Sequence, residues 1–447
     1  MTNDTGVEHH PQNIPDEIGY DRIRDAFRSK SEIAYQGAVQ RLDNKRTHLK
    51  QNPKPADNAA VPEFKRMPPA VWIGPSALTN PCPVTDMEQL SNRLSKVFSD
   101  YPELFNHCVK VYQKRVDYYR LTSEGQKILQ PDTAFHITAR ASIKTDGNEV
   151  KTEYYRLHVG GINDLPSEDA LIGELHQFAQ YMRQKSRAKA VEDLYIGPVL
   201  YEDDAAMELL ARKIADHSHS YWISIRNQSD RKHRYLGKQV FPPALSVCQL
   251  GSDSVYNGVK LLGYRQVDAD GTKPMTLPII EKGILKHMLT GRTPSLGCPA
   301  STGNEHFDGL SRSLETRYIA GVFHVTSNRP VPYSKLYKRF LKAAKKAGLE
   351  HTYIIRKNRT SPYALIRVDL STGKEELVEG NYNAPSREQF KRMHAISKEE
   401  NVYNLDPAGG KGLGIISPKA ILLEDMELDI TPSRARHIDE AFYELRH

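Results

Sequence analysis

The chain has 447 residues, with 62 basic side chains against 55 acidic ones for a net charge of +7, and 39% of its residues are apolar. That length gives room for two or three domains of about 150 residues each. The apolar content excludes a disordered chain, and the mild charge excludes a dedicated nucleic-acid binder, whose Lys and Arg would gather in one stripe. No apolar run approaches the ~18–20 residues needed to cross a bilayer. Cys82, Cys108, Cys248 and Cys298 lie too far apart for a disulfide scaffold or a zinc ribbon. This fits a reducing, cytoplasmic setting, although a secreted chain stripped of its leader would read alike.

Residues 1 to about 18 are polar and read as a loose leader. From Tyr20 to Gln51 the pattern is helical, with Ile23, Phe27, Ala34, Tyr35, Ala38 and Leu42 near one face. Asn52 to Pro69 holds five prolines in eighteen residues and reads as an extended linker. Thr85 to Phe105 is expected to be helical again, on the spacing of Met87, Leu90, Leu94, Val97 and Phe98. Strands are expected over Cys108–Leu121, Ala134–Lys144 and Val150–Val159. In the second of these, Phe135, Ile137, Ala139, Ala141 and Ile143 alternate with His136, Thr138, Arg140 and Ser142, so one face is buried and the histidine phase is expected to be exposed. Ser167 is a plausible N-cap for a helix whose apolar stripe runs from Leu171 to Met182.

After Gly197 short strands separated by Gly, Pro, Asp and Asn turns dominate, over 235–290 and 351–429. One helix, Leu336–Ala347, interrupts them and ends at Gly348. Its Lys335, Lys338, Arg339, Lys342, Lys345 and Lys346 read as a solvated face. The fold class is therefore α+β: a leader helix and Pro-rich linker (1–70), a helix and antiparallel-sheet domain (71–192), and a mostly antiparallel β domain (193–447).

No HExxH pair and no Gly-x-Ser-x-Gly elbow occur. His217, His219 and His233 read as solvated loop histidines, His176 as a satisfied boundary histidine, and Cys298 as a loop thiol tucked under a turn. Gly409, Gly410 and Gly412 fail the phosphate-loop pattern, because Leu413 follows where Ser or Thr is required. They read as a turn where backbone passes closely.

Three stretches together resemble the TldD/PmbA (TldE) family of metalloprotease-like proteins, often described as modulators of DNA gyrase. They are Tyr195–Glu202 with Ala205-Ala206, then Leu236-Gly237-Lys238 with Asp268–Thr272 and Leu277–Lys286, then Pro294–Gly297 with Ser301–Asn304. Gly409–Gly414 with Leu422-Leu423 fits the family's closing turn and strands. The resemblance implies a fold in which an α/β N-terminal domain precedes a curved antiparallel domain, and two subunits enclose a chamber for unfolded peptides. Catalytic relatives carry His-Glu-x-x-x-His after the Gly-Pro-Val-Leu position and a late Cys as third zinc ligand. Carried over, Tyr201 and Ala206 replace the histidines, Glu202 keeps the acid, and Gly409 stands near the Cys position.

Alanine cannot ligate, and a catalytic zinc needs about three protein donors. No zinc or other cofactor is expected here. Glu202 is the weak candidate for a catalytic acid, with a surface or helix-start carboxylate as the competing reading. The resemblance thus points to the non-catalytic TldE-type subunit, as a homodimer or paired with a zinc-bearing TldD-type relative, with no specific nucleic acid and no membrane. Two alternatives stay open: an active hydrolase built on His217, His219 or Cys298, and a homodimeric scaffold without a peptide substrate.

Overall fold

The computed structural model describes residues 19–51, 67–145, 149–210, 235–251, 253–292, 300–307, 316–318, 321–382, 385–391, 393–405 and 412–430. Its elements begin with α1 (Tyr20–Gln51), β1 (Val71–Ile73), α2 (Val84–Ser95), β2 (Phe105–Leu121), β3 (Lys127–Lys144), β4 (Val150–Val159) and α3 (Glu168–Ser186). Then come β5 (Lys189–Ala190), β6 (Asp193–Asp203), β7 (Leu245–Gln249), β8 (Val255–Tyr256), β9 (Val259–Lys260), β10 (Leu277–Glu281) and β11 (Ile284–Leu285). After β12 (Glu305–Phe307), β13 (Thr316–Tyr318) and β14 (Val322–Ser327), helix α4 (Tyr333–Lys346) leads into β15 (His351–Lys357), β16 (Ala364–Asp369) and β17 (Glu375–Glu379). The last elements are α5 (Arg387–Lys391), β18 (Met393–Ile396), β19 (Glu400–Leu405), β20 (Leu413–Pro418) and β21 (Ala420–Ile430).

A seven-stranded sheet in the order β18-β21-β6-β15-β16-β17-β5 forms the middle layer. Both its faces are covered, which is why β6 and β21 read as near-continuous apolar runs. On one face Val199, Tyr201, Tyr353 and Ile421 pack against Leu245, Val247, Ile279 and Phe323 of a six-stranded sheet, β11-β10-β7-β14-β20-β19. On the other, Leu200, Ile354, Ile366 and Leu422 pack against Leu336 and Phe340 of α4 in a core shared with Phe178 of α3 and Phe135 and Ile137 of β3. The sheets are mostly antiparallel, as expected; β6 with β15, β17 with β5, β14 with β20 and β1 with β3 are parallel.

The first sheet confirms the period-of-two reading on one face and corrects it on the other. Phe135, Ile137, Ala139, Ala141 and Ile143 are buried, but so is His136, at 4% exposure. The ring of Tyr112 stacks on it, 4.5 Å between centroids, and its Nδ1 lies 2.8 Å from that of His158. Tyr112 and His158 are its direct cross-strand partners on β2 and β4, so their rings cover it on its own face of the sheet. The helix expected over Thr85–Phe105 also ends early, at Ser95, in a 3-10 turn over Lys96–Asp100. Pro102 cannot continue a helix, and Phe105 already begins β2.

Ser167 caps α3, its side chain accepting from the Ala170 N–H at 3.3 Å. Glu168 and Asp169 follow in the first turn, where carboxylates favour the helix dipole. Ser167→Ala is expected to lower stability by about 1 kcal/mol, read from a denaturant midpoint. His176 is satisfied by Tyr101, with Oη 3.0 Å from Nδ1. The six cations on α4 are exposed. Close backbone passage is seen at Gly412, where an added Cβ would stand 2.8 Å from Cβ of Leu262.

A long β2–β3 hairpin docks against the second half of the chain. Arg120 Nη2 sits 2.9 Å from Asp270 Oδ1 and its Nη1 3.8 Å from Glu305 Oε1. Gln126 Nε2 donates to the Asp270 carbonyl at 2.8 Å, and Arg292, 1% exposed, pairs with Glu124 at 2.7 Å. Asp268 shapes the receiving turn: its Oδ1 accepts from the N–H groups of Asp270 and Thr272, at 2.9 and 2.8 Å, and its Oδ2 from that of Glu305 at 3.1 Å.

Candidate functional site

Strand alternation separates the residues singled out by the family resemblance. Tyr201 points into the core between the two large sheets, 3% exposed, and among the described residues its Oη has no hydrogen-bond partner. Glu202 points to the opposite face, toward α4. It is 2% exposed, which corrects the reading of it as a surface carboxylate. Arg356 Nε donates to its Oε2 at 2.6 Å, and the Tyr333 hydroxyl donates to its Oε1. Burial and the Glu202 carboxylate raise the Tyr333 phenol well above its ordinary value.

Ala206 lies in the helical segment 204–210, buried in the same core as Tyr201. Positions 201, 202 and 206 therefore present no common donor set: one phenol in a core, one carboxylate on the other face, and one methyl group. These three do not fit a zinc ion, which needs N, O or S donors converging at about 2 Å. Gly409, His217, His219, His233 and Cys298 lie outside the described residues. Among the described residues no cluster of three or more His, Cys, Asp and Glu is placed to hold a metal ion.

An open cavity lies one residue further on. Strands β6 and β15 are parallel neighbours, so their carboxyl ends, Asp203 and Lys357, face the same edge of the sheet. Crevices outside the carboxyl ends of parallel strands are habitual ligand sites. Here a cavity of about 560 Å³ opens between these ends, α3, β4 and β19. The chain enters it at Asp203, a non-glycine residue with φ of 54°, and turns directly into the helical segment. That left-handed conformation costs energy in an L-residue and is held by neighbours. The Asp203 N–H donates to the Lys419 carbonyl at 2.8 Å, and its carboxylate accepts from the amides of Asn401 and Asn358, at 3.1 and 3.3 Å.

Asp204 follows on the cavity wall, half-buried. Burial pushes its carboxyl up to about 7, the opposing pull of Lys357 and Arg359 notwithstanding, and the neighbouring Asp203 and Glu208 add to the rise. The two cations are committed elsewhere: Lys357 to Glu208, and Arg359 to Glu174, with Nε to Oε2 at 3.1 Å. Tyr403 adds a phenol from β19, raised by burial, with its Oη 3.1 Å from the Asn401 amide. Reading the sequence singled out Glu202 and passed over Asp203-Asp204. The signal was a tandem of aspartates at the end of an apolar strand, where the turn into a helix exposes side chains.

A family model described as the PmbA/TldA metallopeptidase C-terminal domain matches residues 196–324, from β6 to β14. Over these residues the chain is similar to the TldD/PmbA family. No curated protein matches it. Among solved structures, a candidate modulator of a DNA gyrase from Thermotoga maritima shares 14% identity at a TM-score of 0.57, over 78% of this chain and 74% of its own. A candidate gyrase modulator from Bacteroides thetaiotaomicron gives 14% and 0.54, over 78% and 72%. TldE from Thermococcus kodakarensis gives 12% and 0.52, over 85% and 81%. At these identities the likeness is one of fold, and the TldD/PmbA-like α+β architecture expected from the sequence is the one found. No described helix is long and apolar enough to cross a membrane.

Proposed function

We propose that this chain is a non-catalytic subunit of the TldE type, whose cavity holds a segment of unfolded peptide beside a metal-bearing relative that cleaves it. The reading includes assembly as a homodimer or as a heterodimer with that relative, in the cytoplasm. The observation that carries it is the separation of the cavity from Glu202: the carboxylate at the motif position is buried under Tyr333 and Arg356, while the open space lies beyond Asp203. A buried carboxylate with both oxygens engaged by a guanidinium and a phenol is poorly placed to act as a general base.

The cavity itself supports a peptide occupant. Its volume falls in the range of ordinary ligand pockets. Two strands border it, β4 along Tyr154–Val159 and β19 along Asn401–Leu405. Among the described residues β4 pairs with β3 alone and β19 with β20 alone, so each offers one side to an extended chain. Backbone pairing of that kind accepts many sequences, as a processing chamber requires.

Metal content and cleavage of an unfolded fluorescent casein test the proposal, on the purified chain and on the chain co-expressed with a relative that retains His-Glu-x-x-x-His. The lone chain is expected to bind the casein without cutting it and to hold zinc well below one equivalent, with cutting seen only in the mixed assembly. One equivalent of zinc in the lone chain, or cleavage by it, overturns the reading.

A further inference from the structure

Charge in the cavity is unevenly settled. Glu174, Asp203, Asp204 and Glu208 supply four carboxyl groups against the three permanent cations Arg156, Lys357 and Arg359. Three of the carboxylates are occupied: Glu208 by Lys357, Glu174 by Arg359, and Asp203 by two asparagine amides. Among the described residues Asp204 alone of the four accepts no hydrogen bond and closes no ion pair, and it stands on the wall of the open space. Arg156 does not serve it; the guanidinium lies over the Tyr154 ring, 4.7 Å from its centroid. A half-buried carboxylate without a partner is costly, and an incoming cation removes that cost.

We propose that Asp204 is the anchor for a positively charged group, an ammonium or guanidinium, carried by the peptide that occupies this cavity. The inference rests on the peptide reading above and adds a preference that backbone pairing cannot supply. Strand edges hold any extended chain alike; a single unpartnered carboxylate beside them selects chains with a free amine, lysine or arginine at the matching position. Lys357 and Arg359 are already committed to Glu208 and Glu174, so Asp204 is left to the incoming cation. The ion pair also favours the charged form of Asp204, so selection strengthens as the carboxyl loses its proton around neutral pH.

Two fluorescein-labelled peptides of one alternating Ala-Gly sequence test this by anisotropy with the full chain. One has a free amino terminus and lysine at every third position; the other is acetylated and has norleucine in place of lysine. The parent is expected to prefer the cationic peptide by about tenfold, the scale of one charge-assisted hydrogen bond. The preference should rise between pH 6 and pH 8, fall to about twofold or less in Asp204→Asn, and persist in Asp204→Glu. Equal affinities in the parent, or a preference that Asp204→Asn leaves intact, overturn the inference while the peptide reading stands. Failure of both peptides to bind sinks the peptide reading and this inference together.

Discussion

Arg356→Met is expected to cost the fold about 3–5 kcal/mol, because it leaves the Glu202 carboxylate buried without its cation. Glu202 is 2% exposed, and Arg356 supplies its only ion pair among the described residues. Glu202→Gln should cost much less, about 1–2 kcal/mol. The amide oxygen can still accept from Tyr333 or Arg356, and Arg356 keeps Glu375, 3.7 Å away, in a partly open position. Urea midpoints of the two variants check the order. The same pair bears on function: if Glu202 were a catalytic acid, Glu202→Gln would abolish turnover of the mixed assembly at nearly full stability. The structure leads to the opposite expectation, turnover retained in proportion to folded protein.

The second large effect is a loss of stability as pH rises from about 4 through neutrality. Burial, reinforced by Asp270, raises the Asp268 carboxyl to about 7, although three backbone N–H groups pull it down. Burial and a hydrogen bond donated to the Asp270 carboxylate hold Glu305 well above the ordinary carboxylate range, Arg120 opposing. Groups raised on folding give stability that is complete below the unfolded value near 4 and is lost as pH rises through the folded value. For Asp268 the window runs from about pH 4 to pH 8 and amounts to about 4 kcal/mol, at 1.4 kcal/mol per tenfold change. Asp204 adds to the loss in the same window.

Melting temperatures should therefore fall between pH 5 and pH 8.5. Glu305→Gln should flatten the curve, since an amide donates to Asp270 without borrowing a proton. The variant should melt below the parent at pH 5 and above it at pH 8.5. A parallel shift at both pH values would mean that the shared proton does not govern docking of the β2–β3 hairpin.

What the sequence made legible was whatever repeats locally. The alternating face of β3 and the cap and stripe of α3 follow from side-chain spacing within one element, and each is found where the pattern placed it. His136 and Glu202 were misjudged because their surroundings come from elsewhere in the chain. His136 is covered from β2 and β4, and the partners of Glu202 stand 131 and 154 residues away. Periodicity says which face a side chain takes and is silent on whether a distant element covers that face. The cavity was hidden for the same reason: Glu174, Asp204, Lys357 and Asn401 carry no mutual spacing until β6 and β15 lie side by side. The order of the family stretches did survive without periodicity, since glycine turns and apolar strands recur in sequence even where ligands do not.

The pairing of β6 also sets a timetable for synthesis. Its two neighbours, β15 and β21, arrive only at His351–Lys357 and Ala420–Ile430. At about 5–20 residues per second, a ribosome leaves this strand without its second partner for ten seconds or more. Through that interval the apolar run from Val199 to Tyr201 is shielded by nothing that completes it. Nascent chains of this protein should accordingly need a holding chaperone until the final strand emerges, and fragments stopped short of it should aggregate.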